Sequence, residues 1–120
     1  SNSLEVEPEK VALNPLDEEL LKKAVAIVEK HMDNVEFSTE IFAREMCMSR
    51  SNLHIKMKAL TGESANDFIR KMRFNQACKL LKEGKYTVSE ISGMVGFNTP
   101  SYFATSFKKY FGCLPSEYGK

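Results

Sequence analysis

Two stretches of this 120-residue chain, residues 37–62 and 86–112, carry the same order of helix-starting, apolar and helix-ending residues. The matched pairs are Phe37 with Tyr86, Ser38 with Thr87, Ile41 with Ile91, Ala43 with Ser92, Met48 with Phe97, Leu53 with Phe103, Met57 with Phe107, Lys58 with Lys108, and Gly62 with Gly112. The offset is 49 residues before the turn, apart from 50 for the Ile41–Ile91 pair, and 50 after the turn, so one copy has one extra residue near its turn. A repeat that preserves caps, apolar positions and a closing glycine predicts two copies of one helical unit.

Each copy has the pattern of a helix-turn-helix. The predicted helices and their N-terminal caps are residues 39–46 after Ser38, 50–60 after Ser49, a short helix after Thr87, and 100–110 after Thr99. Hydroxyl side chains are favoured caps because they accept a hydrogen bond from a free backbone N–H of the first turn. Glu90 completes a capping box with Thr87, and Pro100 suits the first helical position. Two short helices around a tight turn are typical of a helix-turn-helix.

A long helix is predicted between the copies, over residues 64–83. Ser64 and Asp67 give it a capping-box-like start, and Gly84 ends it. Its apolar residues recur mostly at three- and four-residue steps: Phe68, Ile69, Met72, Ala77, Leu80 and Leu81. About nineteen helical residues span roughly 28 Å. Adjacent major-groove segments on one face of DNA are about 34–36 Å apart, so the spacing permits two helices in successive grooves.

Residues 16–33 predict a further amphipathic helix, with an apolar stripe of Leu16, Leu20, Leu21, Ala24, Ile27 and Val28. Residues 1–15 have no periodicity and are rich in Glu, so we predict a disordered linker. The absence of an initial methionine suggests a piece of a longer protein. The predicted fold is all-α: two helix-turn-helix units joined by a long central helix, with an extra N-terminal amphipathic helix. The expected divisions are a linker (1–15), an N-terminal helix packed on or leading into the domain (16–36), the first helix-turn-helix (37–63), the linker helix (64–84), and the second helix-turn-helix with a short C-terminal turn (85–120).

Composition and spacing argue against catalysis, metal binding and membrane insertion. The two histidines, His31 and His54, have no nucleophile at local spacing, and no glycine-rich loop or paired-carboxylate pattern occurs. No Cys/His pair has metal-ligand spacing. The three cysteines, Cys47, Cys78 and Cys113, are expected to be buried or half-buried thiols in a reducing cytoplasm. We therefore predict no enzyme activity, no cofactor, no metal, and a cytoplasmic fragment without membrane contact.

Charge is unevenly distributed along the chain. Residues 1–40 contain ten acidic and four basic residues, net −6, whereas residues 41–120 contain thirteen basic and six acidic residues, net +7. A basic two-thirds behind an acidic leader is typical of a nucleic-acid-binding module with a connector. A helical module that docks on an acidic protein partner, without specific DNA readout, is the alternative.

The second helix of a helix-turn-helix enters the major groove, so its outward residues are contact candidates. The base-contact candidates are Arg50, Ser51, His54, Ile55, Pro100, Ser101 and Thr105. The phosphate-contact candidates are helix caps or basic residues: Ser38, Ser49, Lys56, Lys58, Arg70, Lys71, Arg73, Thr87, Thr99, Lys108 and Lys109. Ile55 has two open interpretations, contact with DNA or packing against a neighbouring helix. The aromatic residues predicted to form core are Phe97, Tyr102, Phe103, Phe107, Tyr110 and Phe111.

The region from about residue 37 to 118 resembles the DNA-binding domain of AraC/XylS-type transcription regulators. The motifs that carry the resemblance are MSRSNLHIKMKALTG, FIRKMRFNQACKLL and VSEISGMVGFNTPSYFATSFKKYFGCLPSEY. It implies base readout by Ser51, His54 and Ile55 in the first unit and by Pro100, Ser101 and Thr105 in the second. The family often has arginine at positions 55 and 105, so we expect weaker or more degenerate recognition here. More of the binding would then come from phosphate contacts and dimerisation.

The leader and the segment LDEELLKKAVAIVEKHMDN resemble the region before such domains in two-component regulators, including hybrid sensors. This resemblance implies that phosphorylation of a receiver domain elsewhere in the protein controls the module. The implied partners are double-stranded DNA, a second copy bound through other domains, and RNA polymerase as a further candidate. A hybrid sensor would also imply a full-length protein anchored in a membrane.

Overall fold

The computed structural model of the protein describes residues 13–119, which form seven α-helices and no strand. The helices are α1 (Pro15–Lys30), α2 (Thr39–Glu45), α3 (Arg50–Thr61), α4 (Ala65–Glu83), α5 (Val88–Met94), α6 (Pro100–Phe111) and α7 (Pro115–Tyr118). The predicted all-α class is confirmed. Most of the linker predicted over residues 1–15 lies outside the described residues.

Helix α1 ends at Lys30, earlier than predicted, and a turn follows over residues 31–36. The Asn14 side chain starts the helix by accepting a hydrogen bond from the backbone N–H of Asp17 at 2.8 Å. Ala24, Ile27 and Val28 are buried as predicted. The assignment of Leu16 to the buried stripe is wrong, because its side chain is 69% exposed. It lies in the first turn, and packing against the core begins only at Leu20.

The described chain divides into two compact units, residues 13–30 with 37–72, and residues 31–36 with 73–119. The core of the first unit is Ala24, Ile27, Val28, Phe37, Phe42, Ala43, Met46, Leu53, Met57, Ala65, Phe68 and Ile69. The core of the second unit is Phe74, Ala77, Cys78, Leu80, Ile91, Val95, Phe103 and Phe107. Helix α4 therefore contributes its first part to one core and its second part to the other.

The sequence repeat appears in the structure as equal helix lengths and matching caps. Helices α2 and α5 have seven residues each, and α3 and α6 have twelve each. The side chains of the four predicted cap residues all accept a first-turn backbone N–H: Ser38 from Ile41 at 3.3 Å, Ser49 from Asn52 at 3.1 Å, Thr87 from Glu90 at 3.0 Å, and Thr99 from Tyr102 at 3.1 Å. The capping box at Thr87 is also present, since its N–H bonds to Glu90 Oε1 at 2.9 Å. The cap predictions are confirmed.

The C-terminal helix α7 packs on the second unit through Tyr118, whose ring lies 5.5 Å from that of Phe107. The Tyr118 hydroxyl also forms a hydrogen bond with Cys78, which raises the pKa of Tyr118 to about 12. Burial raises the pKa of the Cys78 thiol. Because a raised pKa favours the protonated thiol, Cys78 acts here as a small apolar residue.

The turn inside each unit contains one residue with positive φ, Cys47 at 62° and Gly96 at 83°. The same two hydrogen bonds close both turns. In the first unit they are Cys47 N to Arg44 O at 3.0 Å and Met48 N to Ala43 O at 3.0 Å, and in the second Gly96 N to Gly93 O at 3.1 Å and Phe97 N to Ser92 O at 2.8 Å. Cys47 is exposed, so the prediction that all three cysteines are at least half-buried is wrong for this one. Its backbone lies where L residues are strained and glycine is not.

We predict that Cys47→Gly stabilises the domain by about 0.5–1 kcal/mol, because it relieves the left-handed strain and removes only an exposed thiol. The measurement is the urea midpoint of unfolding followed by circular dichroism. Cys47→Ala is the matched control, since it also removes the thiol but keeps the strained Cβ. A glycine variant no more stable than the alanine variant would contradict the assigned strain.

Candidate nucleic-acid interface

Helix α3 buries one face and exposes the other. Leu53, Met57 and Leu60 are buried. The outward residues Arg50, Ser51, His54, Ile55 and Lys58 are all exposed. Ile55 is 65% exposed, which excludes its alternative interpretation as a residue packed within the first unit. The base-contact candidates of the first unit therefore share one accessible helix face.

An open groove in the first unit extends this face onto the first turn of α4. Its lining is Thr39, Arg50, Ser51, Leu53, His54, Ile55, Ser64, Ala65 and Asn66. Thr39 and Asn66 are not among the predicted contacts, because base contacts were expected only from the second helix of each unit, and phosphate contacts only from helix caps and basic residues. Asn66 is exposed beside Ser64, whose hydroxyl caps α4 by accepting the N–H of Asp67 at 3.1 Å. The groove combines a cation, an imidazole, an apolar side chain and an amide.

Helix α6, like α3, buries one face and exposes the other, but its exposed side chains are of different types. Phe103 and Phe107 are buried, while Pro100, Ser101, Thr105, Lys108 and Lys109 are exposed. The Ser101 hydroxyl lies 3.3 Å from the hydroxyl of Thr99, the N-cap residue. The predicted contacts in the N-terminal half of α6 are thus small and uncharged, and the two lysines follow in the last turn.

Two aromatic residues of α6 are placed differently from the prediction. Tyr102, predicted as core, is 61% exposed. Tyr110, predicted to face inward, is 40% exposed, although its ring packs against Phe74 with centroids 4.8 Å apart. Tyr102 directly precedes the buried Phe103 and is rotated about the helix axis towards the exposed face. Aromatic type alone was therefore a poor guide to burial in this helix.

The predicted phosphate contacts are not equally accessible. Lys58, Lys108 and Lys109 are exposed. Arg70 is exposed but paired with Asp67, and Lys56 is 3.9 Å from Asp17. The Lys71 side chain is only 15% exposed, and its ammonium lies 2.8 Å from the Glu63 carboxylate. This burial and pairing contradict the assignment of Lys71 as a phosphate contact.

Arg73 is also not a surface cation, because it is 7% exposed inside the second unit. Its guanidinium donates to the backbone oxygens of Asn34 at 2.9 Å, Val95 at 3.1 Å and Gly96 at 2.6 Å. A Cβ on Gly96 would lie 1.7 Å from the Arg73 guanidinium, so the glycine makes room for it. Burial lowers the pKa of Arg73, and the charge of Asp33 opposes this effect. The assignment of Arg73 as a phosphate contact is wrong, and its role is structural.

The four cap residues Ser38, Ser49, Thr87 and Thr99 are exposed at the starts of α2, α3, α5 and α6. Each hydroxyl is bonded to a first-turn N–H, as described above. Within residues 13–119, no group of three His, Cys, Asp or Glu side chains is arranged to hold a metal ion. No helix among these residues combines the length and apolar character needed to cross a membrane.

A sequence model of the helix-turn-helix domain family matches residues 42–120. The chain belongs to the AraC-type helix-turn-helix family. This AraC-type domain is 41% identical over 118 residues to histidine kinase P4 of Formosa agariphila, covering 98% of the chain and 9% of that protein. It is 35% identical over 78 residues to the Msm operon regulatory protein of Streptococcus mutans, covering 65% of the chain and 28% of that protein. The chain thus spans only a small part of these relatives.

Two solved structures of similar domains have the same fold. The C-terminal domain of AraT, a response regulator from Geobacillus stearothermophilus, superposes with a TM-score of 0.78 at 29% identity, covering 90% of this chain and 86% of that one. The DNA-binding domain of the transcriptional factor AdpA, solved in complex with a target DNA, superposes with a TM-score of 0.75 at 29% identity, covering 83% and 88%.

We predict that Arg73→Met destabilises the domain by about 2–4 kcal/mol, because three backbone carbonyls lose a charged donor. Urea unfolding measures the loss. Arg70→Met is the matched control: it removes an exposed arginine paired within one helix turn and should cost less than about 0.5 kcal/mol. If Arg73→Met unfolds like the parent chain but binds DNA less tightly, the structural assignment is wrong.

Proposed function

We propose that the chain is the DNA-binding output domain of a bacterial signalling protein and reads double-stranded DNA through α3 and α6 in successive major grooves. The observation that carries this proposal is the division of both helices. Each buries its apolar residues in its own unit and exposes the side chains of its N-terminal half. An exposed N-terminal half is the part of a recognition helix that reaches base edges. The AdpA domain, solved with its target DNA, supports the same use of the fold.

The exposed side chains suggest how bases are read. His54 offers ring nitrogens that can bond to a base edge, and the aliphatic Ile55 can contact a thymine methyl group. Thr105 offers a single hydroxyl in the second unit. Arginine, which grips guanine with two hydrogen bonds, is absent from positions 55 and 105. Helices α3 and α6, the two proposed recognition helices, together contain a single arginine, Arg50 in the first turn of α3.

The relatives support a place in two-component signalling. A segment of 118 residues in a histidine kinase matches almost the whole chain, and the similar AraT domain comes from a response regulator. We propose that phosphorylation of a receiver domain in a longer protein controls this module on the cytoplasmic side. The longer protein would dimerise through its other domains and contact RNA polymerase as a further partner. No catalytic step is assigned to the chain.

Selection from a random DNA duplex pool tests the proposal. The purified chain is used at about 50 and 150 mM salt, and the bound duplexes are sequenced. A motif of two short blocks about one helical turn apart supports readout by both helices. One block alone would reject readout by one of the helices. No enrichment by folded protein, with weak and sequence-independent binding, would favour the protein-docking alternative.

We predict that His54→Ala and Lys108→Ala weaken DNA binding in different ways. Loss of His54 should change the preferred base at one position of the recovered motif. The free energy of discrimination between bases at that position should fall by about 1–3 kcal/mol. Loss of Lys108 should weaken binding to all duplexes similarly. It should also reduce the salt slope, the slope of log K against log salt concentration, by about one in magnitude. Fluorescence anisotropy with specific and scrambled duplexes over a salt series measures both effects.

Lys79→Ala is the matched control for charge, since it removes an exposed lysine of α4 outside both recognition helices. It should change the affinity and the salt slope much less than Lys108→Ala. Equal effects of the two lysine variants would mean that the response reports overall charge and not a contact made by α6.

A further inference from the structure

Tyr102 is the largest exposed side chain in the N-terminal half of α6. It lies in the first turn, three residues after the N-cap Thr99, and is 61% exposed. At about 100° per residue, it is separated from Thr105 by about 60° around the helix axis. Tyr102 therefore belongs to the outward face that carries Ser101 and Thr105, and not to the face that carries Phe103.

The neighbouring side chains on this face leave little else to read a base. Pro100 has no hydrogen-bonding group in its side chain. The Ser101 hydroxyl lies 3.3 Å from the hydroxyl of the N-cap residue Thr99, so one of its hydrogen bonds is made within the start of the helix. Thr105 supplies one hydroxyl on a short side chain. The Tyr102 phenol has both a donor and an acceptor, at the end of a longer side chain.

The Tyr102 ring is also held in place from one side. Its centroid is 5.7 Å from that of Phe97. Phe97 in turn packs on Phe103 at 5.1 Å and on Phe74 at 5.5 Å, both fully buried. A tyrosine has few rotatable bonds, and aromatic contacts restrict it further. Binding through such a side chain loses little conformational entropy.

We propose that Tyr102 is a base-reading residue of α6, whose hydroxyl donates a hydrogen bond to an acceptor on a base edge in the major groove. Guanine O6 and N7 and thymine O4 are acceptors of this kind. This inference rests on the proposed function and adds a residue to its base-reading set.

Tyr102→Phe tests the proposal, because it removes only the hydroxyl and keeps the ring on Phe97. The parent chain and the variant are each used to select duplexes from the random pool. Their affinities are then measured for the parent motif and for every single-base change in its second block. We expect the variant to lose about tenfold in affinity for the parent motif. Its preference should flatten at one base pair only, with unchanged binding to scrambled DNA and an unchanged salt slope.

Tyr86→Phe is the matched control: it removes an exposed tyrosine hydroxyl outside α6, and we expect the parent motif and affinity. Circular dichroism should show both variants folded, since both positions are exposed and both rings remain. A uniform loss on all duplexes after Tyr102→Phe would make Tyr102 a phosphate contact and overturn the inference. Identical motifs and affinities for variant and parent would overturn it as well.

The outcomes separate this inference from the proposed function. If the parent recovers a two-block motif and Tyr102→Phe recovers the same one with equal affinity, the proposed function stands and the role of Tyr102 is rejected. If the folded parent recovers no motif, the proposed function fails and the role of Tyr102 fails with it.

Discussion

The left-handed turn residue of each unit, Cys47 or Gly96, determines how the following recognition helix begins. It ends the first helix, and two backbone hydrogen bonds then close the turn to the carbonyls of the last helical residues. The N-cap follows within two or three residues, at Ser49 or Thr99, so the first turn of the second helix has a fixed start. Because an α-helix has a fixed period, that start decides which side chains are buried and which are exposed. The accessible face thus follows from one backbone position per unit.

In the second unit, this turn is further constrained by Arg73. Its guanidinium reaches the carbonyls of both Val95 and Gly96, and it also bonds to the carbonyl of Asn34 in the turn after α1. A buried charge is unfavourable unless hydrogen bonds compensate it. The three acceptors do so for the two terminal nitrogens of Arg73, whereas its Nε is buried without a hydrogen-bond partner among the described residues. The absent side chain of Gly96 leaves the necessary space. One arginine therefore joins three segments that are distant in sequence, and it is unavailable for contact with a ligand.

The sequence predicted the helices and their caps well because these depend on local chemistry, such as a hydroxyl residue or a glycine at a helix end. It failed where residue type was equated with burial. Arg73 was assigned to the surface as a cation, although it follows Ile69 and precedes Ala77 by four residues each, on the buried side of α4. Tyr102 was assigned to the core as an aromatic residue, although it shares the face of Thr105. The position of each residue around its helix would have predicted the burial of both correctly. The exposure of Leu16, by contrast, depends on where the packing of α1 against the core ends, which no local sequence pattern encodes.

The number of accessible cations also bears on the proposed function. Among the basic residues of the two recognition helices, Arg50, Lys58, Lys108 and Lys109 are exposed, whereas Lys71 and Arg73 of α4 are withdrawn into pairs or buried. About four phosphate contacts correspond to a slope of log K against log salt concentration near −3.6, and so to roughly a 150-fold loss of affinity between 50 and 200 mM salt. Because this phosphate contribution is modest and positions 55 and 105 lack arginine, a single domain should bind one DNA site with limited affinity. A second copy joined through other domains would act at high effective concentration. The withdrawn cations thus provide a physical reason for the dimerisation that we propose for the longer protein.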